Sequence, residues 1–318
     1  MGTLSTTNLP SDPALDGPWA AYRTWAATAR YHKDAIDNLT RWSLRLAIGG
    51  AVVATLGGQI GPVVPALPWL SKALGAVGAA AIALAAYLSR QAQADDREGI
   101  WTRCRSAAES LKSAIFLCRA SAPPFDGADR AARIRSQTEK VMEDMNGVEP
   151  RQPGPEGPPQ LTPLTVDGYI AERVRKAVDW YRDRAAKHQH SADLCRQGTA
   201  VLMGISALLV VASAVSQLSM WAPVLGTITA SITAHLKNQR YQMLIAMYVS
   251  TALRLELITC EWAATGKTDP DRAERNTMIQ RCEETMASEN GSWLALWSKK
   301  DSAKASSPTG EQPGQTGQ

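Results

Sequence analysis

The sequence predicts an all-α integral membrane protein: two helical hairpins, four transmembrane helices in all, with cytoplasmic helical extensions and a duplicated parallel plan. Three observations predict it. Two long windows of the 318-residue chain hold almost no charge. Basic residues crowd the flanks of both windows and avoid their middles. The two halves of the chain then repeat the same order of segments.

The first window runs from Leu46 to Ser71 without Asp, Glu, Lys or Arg, is interrupted by Lys72, and resumes from Ala73 to Ser89; the second, Gly198 to Leu236, has none. Each exceeds one buried helix but suits two spans and a turn, since a span takes about 17–25 residues. Gly61-Pro62 and Pro65-Ala-Leu-Pro68 with Trp69 punctuate the first window; Gln217 to Pro223, with Trp221, punctuates the second. Pro and Gly break helices, and tryptophan suits the bilayer interface. Helices are expected at roughly 42–61, 70–88, 197–216 and 220–236. A soluble bundle is the competing reading, because Ala73–Leu88 is alanine-rich and the fourth segment carries Thr227, Thr229, Ser231 and Thr233. The distribution of basic residues favours the bilayer.

Orientation follows from the same residues. Arg41 and Arg45 precede the first hairpin and Arg90 and Arg97 follow it; Arg182, Arg184, Lys187 and Arg196 precede the second, and Lys237 and Arg240 follow. The positive-inside rule places both ends of both hairpins, and both termini, in the cytoplasm. The first forty residues lack a secretory signal, so internal segments drive insertion.

Between the halves, Gly147 to Gln160 is a polar Pro/Gly linker that cannot hold a helix. The organisation expected is a first two-span domain at 15–146, a linker at 147–163, a second two-span domain at 164–298 and a disordered tail at 299–318, with the first dozen residues also disordered. Each half has a basic amphipathic leading helix (Trp19–Trp42; Tyr169–Leu194), a hairpin, a long exit helix and a second extramembrane helix. Tyr31 falls opposite Tyr181, and Ser106-Ala-Ala-Glu-Ser-Leu echoes Ser250-Thr-Ala-Leu-Arg-Leu. Apolar residues at 3–4 spacing in the exit helices (Ile100, Cys104, Ala108, Leu111, Ile115; Tyr241, Leu244, Tyr248, Ala252, Leu255, Trp262) predict packing against the leading helices.

The formal net charge is +4, with Lys and Arg interleaved among acids, which gives no nucleic-acid stripe. Five scattered cysteines (Cys104, Cys118, Cys195, Cys260, Cys282) suit neither a disulfide framework nor a zinc site. His188 and His190, two apart on a helix, point to different faces. Asp95, Asp96 and Glu98 read as a solvated turn, and Gly204-Ile-Ser206-Ala lacks the setting of a hydrolase elbow. No catalytic residue, cofactor site or metal site is expected, and the chain reads as not an enzyme.

Two hydroxyl stripes are the candidate functional residues. Thr199, Ser206 and Ser213 recur every seven residues in the third span; Thr227, Ser231 and His235 recur every four in the fourth. They would line a polar path or hydrogen-bond between helices. Gly57-Gly-Gln-Ile-Gly61 and Gly75…Ala79…Ala83 read as small-residue packing faces. Four helices this small fill their own centre, so a pore would require a homo-oligomer in the lipid bilayer.

The segment Tyr169-Ile-Ala-Glu-Arg-Val-Arg-Lys-Ala-Val-Asp-Trp180-Tyr181, just before a hairpin, resembles the opening motif of SLATT domains, two-transmembrane effectors associated with SMODS nucleotidyltransferases and SLOG sensors. Ile100-Trp-Thr-Arg-Cys-Arg-Ser-Ala-Ala-Glu109 is similar to their post-hairpin motif. Met278-Ile-Gln-Arg-Cys-Glu-Glu-Thr-Met-Ala-Ser-Glu289-Asn-Gly-Ser-Trp293 is similar to their closing helix. The resemblance implies a tandem SLATT protein of a bacterial conflict or antiviral system, in the inner membrane. It further implies pore formation or membrane perturbation on a signal from a nucleotide-signalling partner protein, and no catalytic residues. A membrane-anchored helical scaffold recruiting a cytoplasmic partner is the alternative.

Overall fold

The structure is a computed structural model that describes residues 12–63, 67–154, 161–212, 221–266 and 271–305. Among these residues there is no strand. Helix α1 (Asp16–Val63) is preceded by a 3₁₀ turn, Pro13–Leu15, whose N-cap Asp12 accepts from the Ala14 amide. There follow α2 (Pro68–Ala92), α3 (Asp95–Arg119), α4 (Arg130–Asp144), α5 (Val166–Tyr169), a π-helical segment (Ile170–Arg175), α6 (Lys176–Ala212), α7 (Ala222–Gln239), α8 (Tyr241–Ala264) and α9 (Arg272–Ala305). The expected leading helix and first span are one unbroken helix, α1, and the second leading helix and third span are continuous in α6. α9 extends to Ala305, past the point where the tail was expected to begin. The expectations for the first eleven residues lie outside the described ones.

The first hairpin is α1 against α2, and its contact is made by glycine. A Cβ on Gly78 would stand 2.6 Å from the Ala54 backbone nitrogen, and one on Gly50 would stand 2.9 Å from the Gly78 carbonyl oxygen. Gly57 likewise abuts Gly75. Close backbone approach through small residues is how helices associate where no hydrophobic effect drives them. Serines bond across the pair at both ends: Ser43 Oγ donates to the Ala85 carbonyl at 2.9 Å and Ser71 Oγ to the Gly57 carbonyl at 2.6 Å. Gly57 fulfils the packing expectation. The tightest crossing, Gly50 on Gly78, belongs to glycines outside the faces read from the sequence.

Exposed aromatic side chains mark the bilayer boundaries. Trp69 opens α2 and Tyr87 lies near its other end, both exposed, and Trp42 on α1 is exposed with Arg45 stacked at 5.2 Å. At 1.5 Å per residue, Trp69 and Tyr87 stand about 27 Å apart along α2, close to the hydrocarbon thickness.

By length and composition, four helical stretches could cross a membrane: Pro13–Ile60, Pro68–Arg119, Val166–Val211 and Tyr241–Ala264, with Val224–Thr233 of α7 apolar but shorter. Composition thus favours α8, where the sequence reading had placed the fourth span on 220–236. α7, the expected fourth span, lies against α6 and α1. α8 lies instead on the first turns of α6 and bears the Arg182–Glu256 ion pair at 2.7 Å. It is apolar on one face because it packs Tyr248, Ala252, Leu255 and Ile258 into the core.

Beyond the spans, the helices form one polar bundle with three apolar clusters. One joins Trp25 and Ala29 of α1 to Cys104, Ala108 and Leu111 of the stripe expected on α3, and to Trp101 beside it. A second joins Tyr169, Val174, Val178 and Tyr181 to α8 and to Met278, Ile279, Cys282 and Met286 of α9. The third gathers Leu15, Ile115, Phe125, Ile134 and Leu161 at the far end, below both. The linker is not helical where described, and it is held down: the Arg151 amide donates to Thr28 Oγ1 at 2.9 Å, and the Arg151 guanidinium stacks on Tyr31 at 4.3 Å.

Candidate functional site

Charged residues converge inside the polar bundle, on positions that the apolar spacing of the helices carries inward. In the second half, Tyr169, Arg173 and Val174 fall on the buried face where the π-helical segment meets α6. π turns shift the register of a helix face and concentrate at functional sites. Here the segment aims Arg173 at α9.

Arg173 donates to Glu283 through Nε (3.0 Å to Oε1) and Nη2 (2.9 Å to Oε2), and the Tyr169 hydroxyl donates to the same Oε1 at 2.9 Å. All three are buried. The fork geometry matches guanidinium to carboxylate, the strong form of such a pair. Burial opposes the charge on Arg173, but the Glu283 carboxylate more than offsets it and holds the pKa above the ordinary arginine value. Burial, reinforced by Glu283, raises the Tyr169 phenol, which therefore stays a donor. The Phe116 ring of α3 lies under Arg173 at 5.2 Å and under Arg119 at 5.4 Å. Arg119 in turn pairs with Glu172 at 3.0 Å and donates to the Thr162 carbonyl.

A second node sits nearer the membrane. Arg105 of α3 reaches both oxygens of Glu289 on α9, at 3.1 and 3.3 Å, and the Tyr181 hydroxyl donates to Glu289 at 3.4 Å. Burial raises the Glu289 pKa, Arg105 draws it back, and Glu109 raises it further. Lys112, on the same side of α3, has its pKa lowered by burial. The two nodes tie α3 of the first half to α6 and α9 of the second. An aromatic group continues from them: Tyr181 lies beside Trp180 and Tyr248, and His188 stacks on Tyr248 at 5.9 Å.

His188 supplies a pH dependence. Burial, then Lys33 and Arg184, lower its pKa from 6.5, while Asp37 acts the other way. With the folded value below the unfolded one, the stabilisation by the neutral ring is complete above pH 6.5 and is lost as pH falls through the depressed folded pKa. The melting temperature of the detergent-solubilised protein should fall as pH drops below 6.5, and the fall should be shallower in His188→Phe, which keeps the stacking but cannot titrate. Equal slopes would remove His188 from this role.

The hydroxyl stripes behave differently. Thr199 Oγ1 donates to the Cys195 carbonyl at 2.9 Å and Ser231 Oγ to the Thr227 carbonyl at 2.8 Å, each within its own helix. Ser206 is half-buried and Thr227 exposed. Ser213 lies outside the described residues, and so does the side chain of His235, although its backbone is helical. Gly198, Gly204 and Gly226 meet nothing within 4 Å, so among the described residues the second hairpin shows no glycine crossing like that of the first. Among the described residues no group of three or more His, Cys, Asp or Glu could hold a metal.

The charge network escaped the sequence reading, because a lone Arg or Glu in a polar helix reads as a solvated face. A signal existed. Tyr169, Arg173, Val174, Val178 and Tyr181 share one helix face, and so do Met278, Cys282, Glu283, Met286 and Glu289; each places a charge among residues that pack. The opening and closing motifs therefore meet face to face.

Comparison with known families decides what this meeting belongs to. Residues 169–293 match the family model described as SMODS and SLOG-associating 2TM effector domain 1, from Tyr169 of the network to Trp293 just past Glu289. Residues 169–293 form a SLATT domain. Residues 19–132 match a different family model, described only as a protein of unknown function, DUF4231. No curated protein and no solved structure matches the chain. The opening and closing motifs of the network both lie in this SLATT domain. The post-hairpin residues that complete the network, Arg105 and Phe116, come from the first half.

Proposed function

We propose that this membrane effector belongs to a bacterial conflict system, sits in the inner membrane with both termini cytoplasmic, and permeabilises that membrane as a homo-oligomer when a nucleotide-signalling partner protein engages its polar bundle. It acts without catalysis or cofactor. The observation that carries the reading is the contrast between the hairpins. The first is locked by glycine and serine contacts, whereas Gly198, Gly204 and Gly226, the glycines described in the second, meet nothing within 4 Å. Thr199 and Ser231 of the second donate within their own helices, which leaves their oxygens able to face a water-filled path when copies assemble. The buried network gives the bundle the rigidity to pass a partner's push to α6.

Leakage tests this. Cells expressing the protein with its genomic neighbours should take up a membrane-impermeant dye, and omission of the nucleotide-signalling neighbour should abolish uptake. Ser206→Val, Thr227→Val and Ser231→Ala together should cut uptake by about tenfold or more at equal protein level. Full activity of the triple variant, or an intact membrane under every condition, favours the scaffold reading, which the exposed apolar face of α8 independently supports.

A further inference from the structure

The basic residues that lead into the two hairpins differ in what balances them. Before the second hairpin, Arg182 pairs with Glu256, Lys187 with Asp183 and Arg196 with Asp193, so the chain offsets its own charge there. Before the first, Arg41 and Arg45 form no ion pair among the described residues, and both are exposed. The carboxylate one turn below Arg41, Asp37, is engaged by Lys33 at 2.6 Å, and Asp34 lies about two turns away. Like charges four residues apart on a helix repel. An anion between them would reverse the sign of that contact.

The surroundings say which anion. The two arginines frame Trp42, which is 49% exposed. Arg45 stacks on the Trp42 ring at 5.2 Å, which uses the flat of the guanidinium and leaves its in-plane N–H groups to donate elsewhere. Arg41 donates through Nε to the Asp37 carbonyl at 3.3 Å, which leaves its two terminal nitrogens. Height is set by the hairpin. Ser43 bonds to Ala85 and Ser71 to Gly57, so α1 runs antiparallel to α2 in one register and Trp42 stands within about one residue of the level of Tyr87. Tyr87 marks the membrane boundary, so the arginine pair sits at the depth of lipid phosphates. From Trp42 into the bilayer the same face continues at seven-residue spacing through Gly49, where a Cβ would meet open space, to exposed Leu56. That strip offers an acyl chain bare backbone to lie on.

We propose that Arg41, Trp42 and Arg45 form a headgroup site for an acidic phospholipid of the leaflet at that end of the hairpin. The two guanidinium groups hold its phosphodiester, the indole packs against its glycerol, and a chain runs over Gly49. A zwitterionic headgroup carries its own cation beside the phosphate and leaves the pair uncompensated, whereas an acidic one supplies the missing charge. The site needs only the spans, and it holds α1 at a fixed depth whether or not the protein permeabilises the membrane.

Full-length protein is reconstituted in vesicles of phosphatidylcholine and phosphatidylglycerol in equal parts, with a photoactivatable acyl chain on one lipid and then on the other. Mass mapping should find the Trp42–Leu56 stretch labelled about tenfold more by phosphatidylglycerol than by phosphatidylcholine. Arg41→Gln with Arg45→Gln, at exposed positions compatible with folding, should abolish that preference and leave labelling by phosphatidylcholine unchanged. Arg45→Lys, which keeps the charge but loses the stack, should weaken the preference by less than Arg45→Gln. An equal preference around Arg196 would report boundary charge in general and overturn the site. So would a preference that survives the double variant, or one that inorganic phosphate abolishes at constant ionic strength, since the anion would then be a soluble one. The comparison of the two lipids on the unaltered chain decides the matter even where a variant fails to insert: equal labelling overturns the proposal.

Discussion

Arg173→Ala should be the most destabilising single change in the polar bundle, at about 3–5 kcal/mol. The substitution leaves the Glu283 carboxylate buried with only the Tyr169 hydroxyl to bond, and desolvating an unpaired carboxylate is costly. It also removes the cation above Phe116, loosening the seam between the halves. For a chain of this size the loss corresponds to a fall of about 4–8 °C in melting temperature, measured by circular dichroism on detergent-solubilised protein. Replacing both partners, Arg173→Met with Glu283→Leu, should recover most of the loss, because the pair's own net contribution is small. If the double variant is as unstable as the single, the geometry matters beyond the charge. A melting temperature unchanged by Arg173→Ala would show that the pair is not buried as described.

The second large effect is expected at Gly78. A side chain there begins with a Cβ 2.6 Å from the Ala54 nitrogen and 2.7 Å from the Gly50 carbonyl oxygen, both backbone atoms that cannot swing aside. Gly78→Leu must therefore separate α1 from α2 and break the bonds made by Ser43 and Ser71. Overpacking costs about 1–3 kcal/mol where neighbours can adjust, and this site lies at or above the top of that range. Gly226→Leu is the control, since a Cβ there meets nothing within 4 Å. Thermal unfolding of both variants in matched detergent checks the contrast, and equal melting temperatures would refute the glycine crossing.

The span architecture was legible because charge-free windows with basic flanks have few physical alternatives. α1 and α2 fall where hydropathy and proline put them, and the stripe of α3 packs as its spacing requires. Other features were harder to read for definite reasons. The unbroken junctions near Trp42 and Leu194 carry no sequence mark, since a polar helix and an apolar one join without a breaker. α8 is as apolar as a span because its buried face and its bare outer face are both apolar, and only its neighbours reveal where it lies. The Arg173–Glu283 pair bridges residues 110 positions apart, and no local pattern names a partner at that distance. The Gly50–Gly78 crossing needed the actual rotation of α1 against α2, which a run of small residues leaves open.

The 48 residues of α1 form a single rod of about 72 Å. The return path is jointed: α2 gives way to α3 at Gln93 and Ala94, and α7 to α8 at Arg240, whose φ of 48° is left-handed. A rod and a jointed return respond unequally to the same displacement. A tilt of only about 5° at the polar end of α1 sweeps its far end through about 6 Å, more than the rise of one helical turn, while the joints let α3 and α8 hold their places. Leverage of this kind turns a small rearrangement among buried charges into a displacement wide enough to matter at the opposite face of the bilayer.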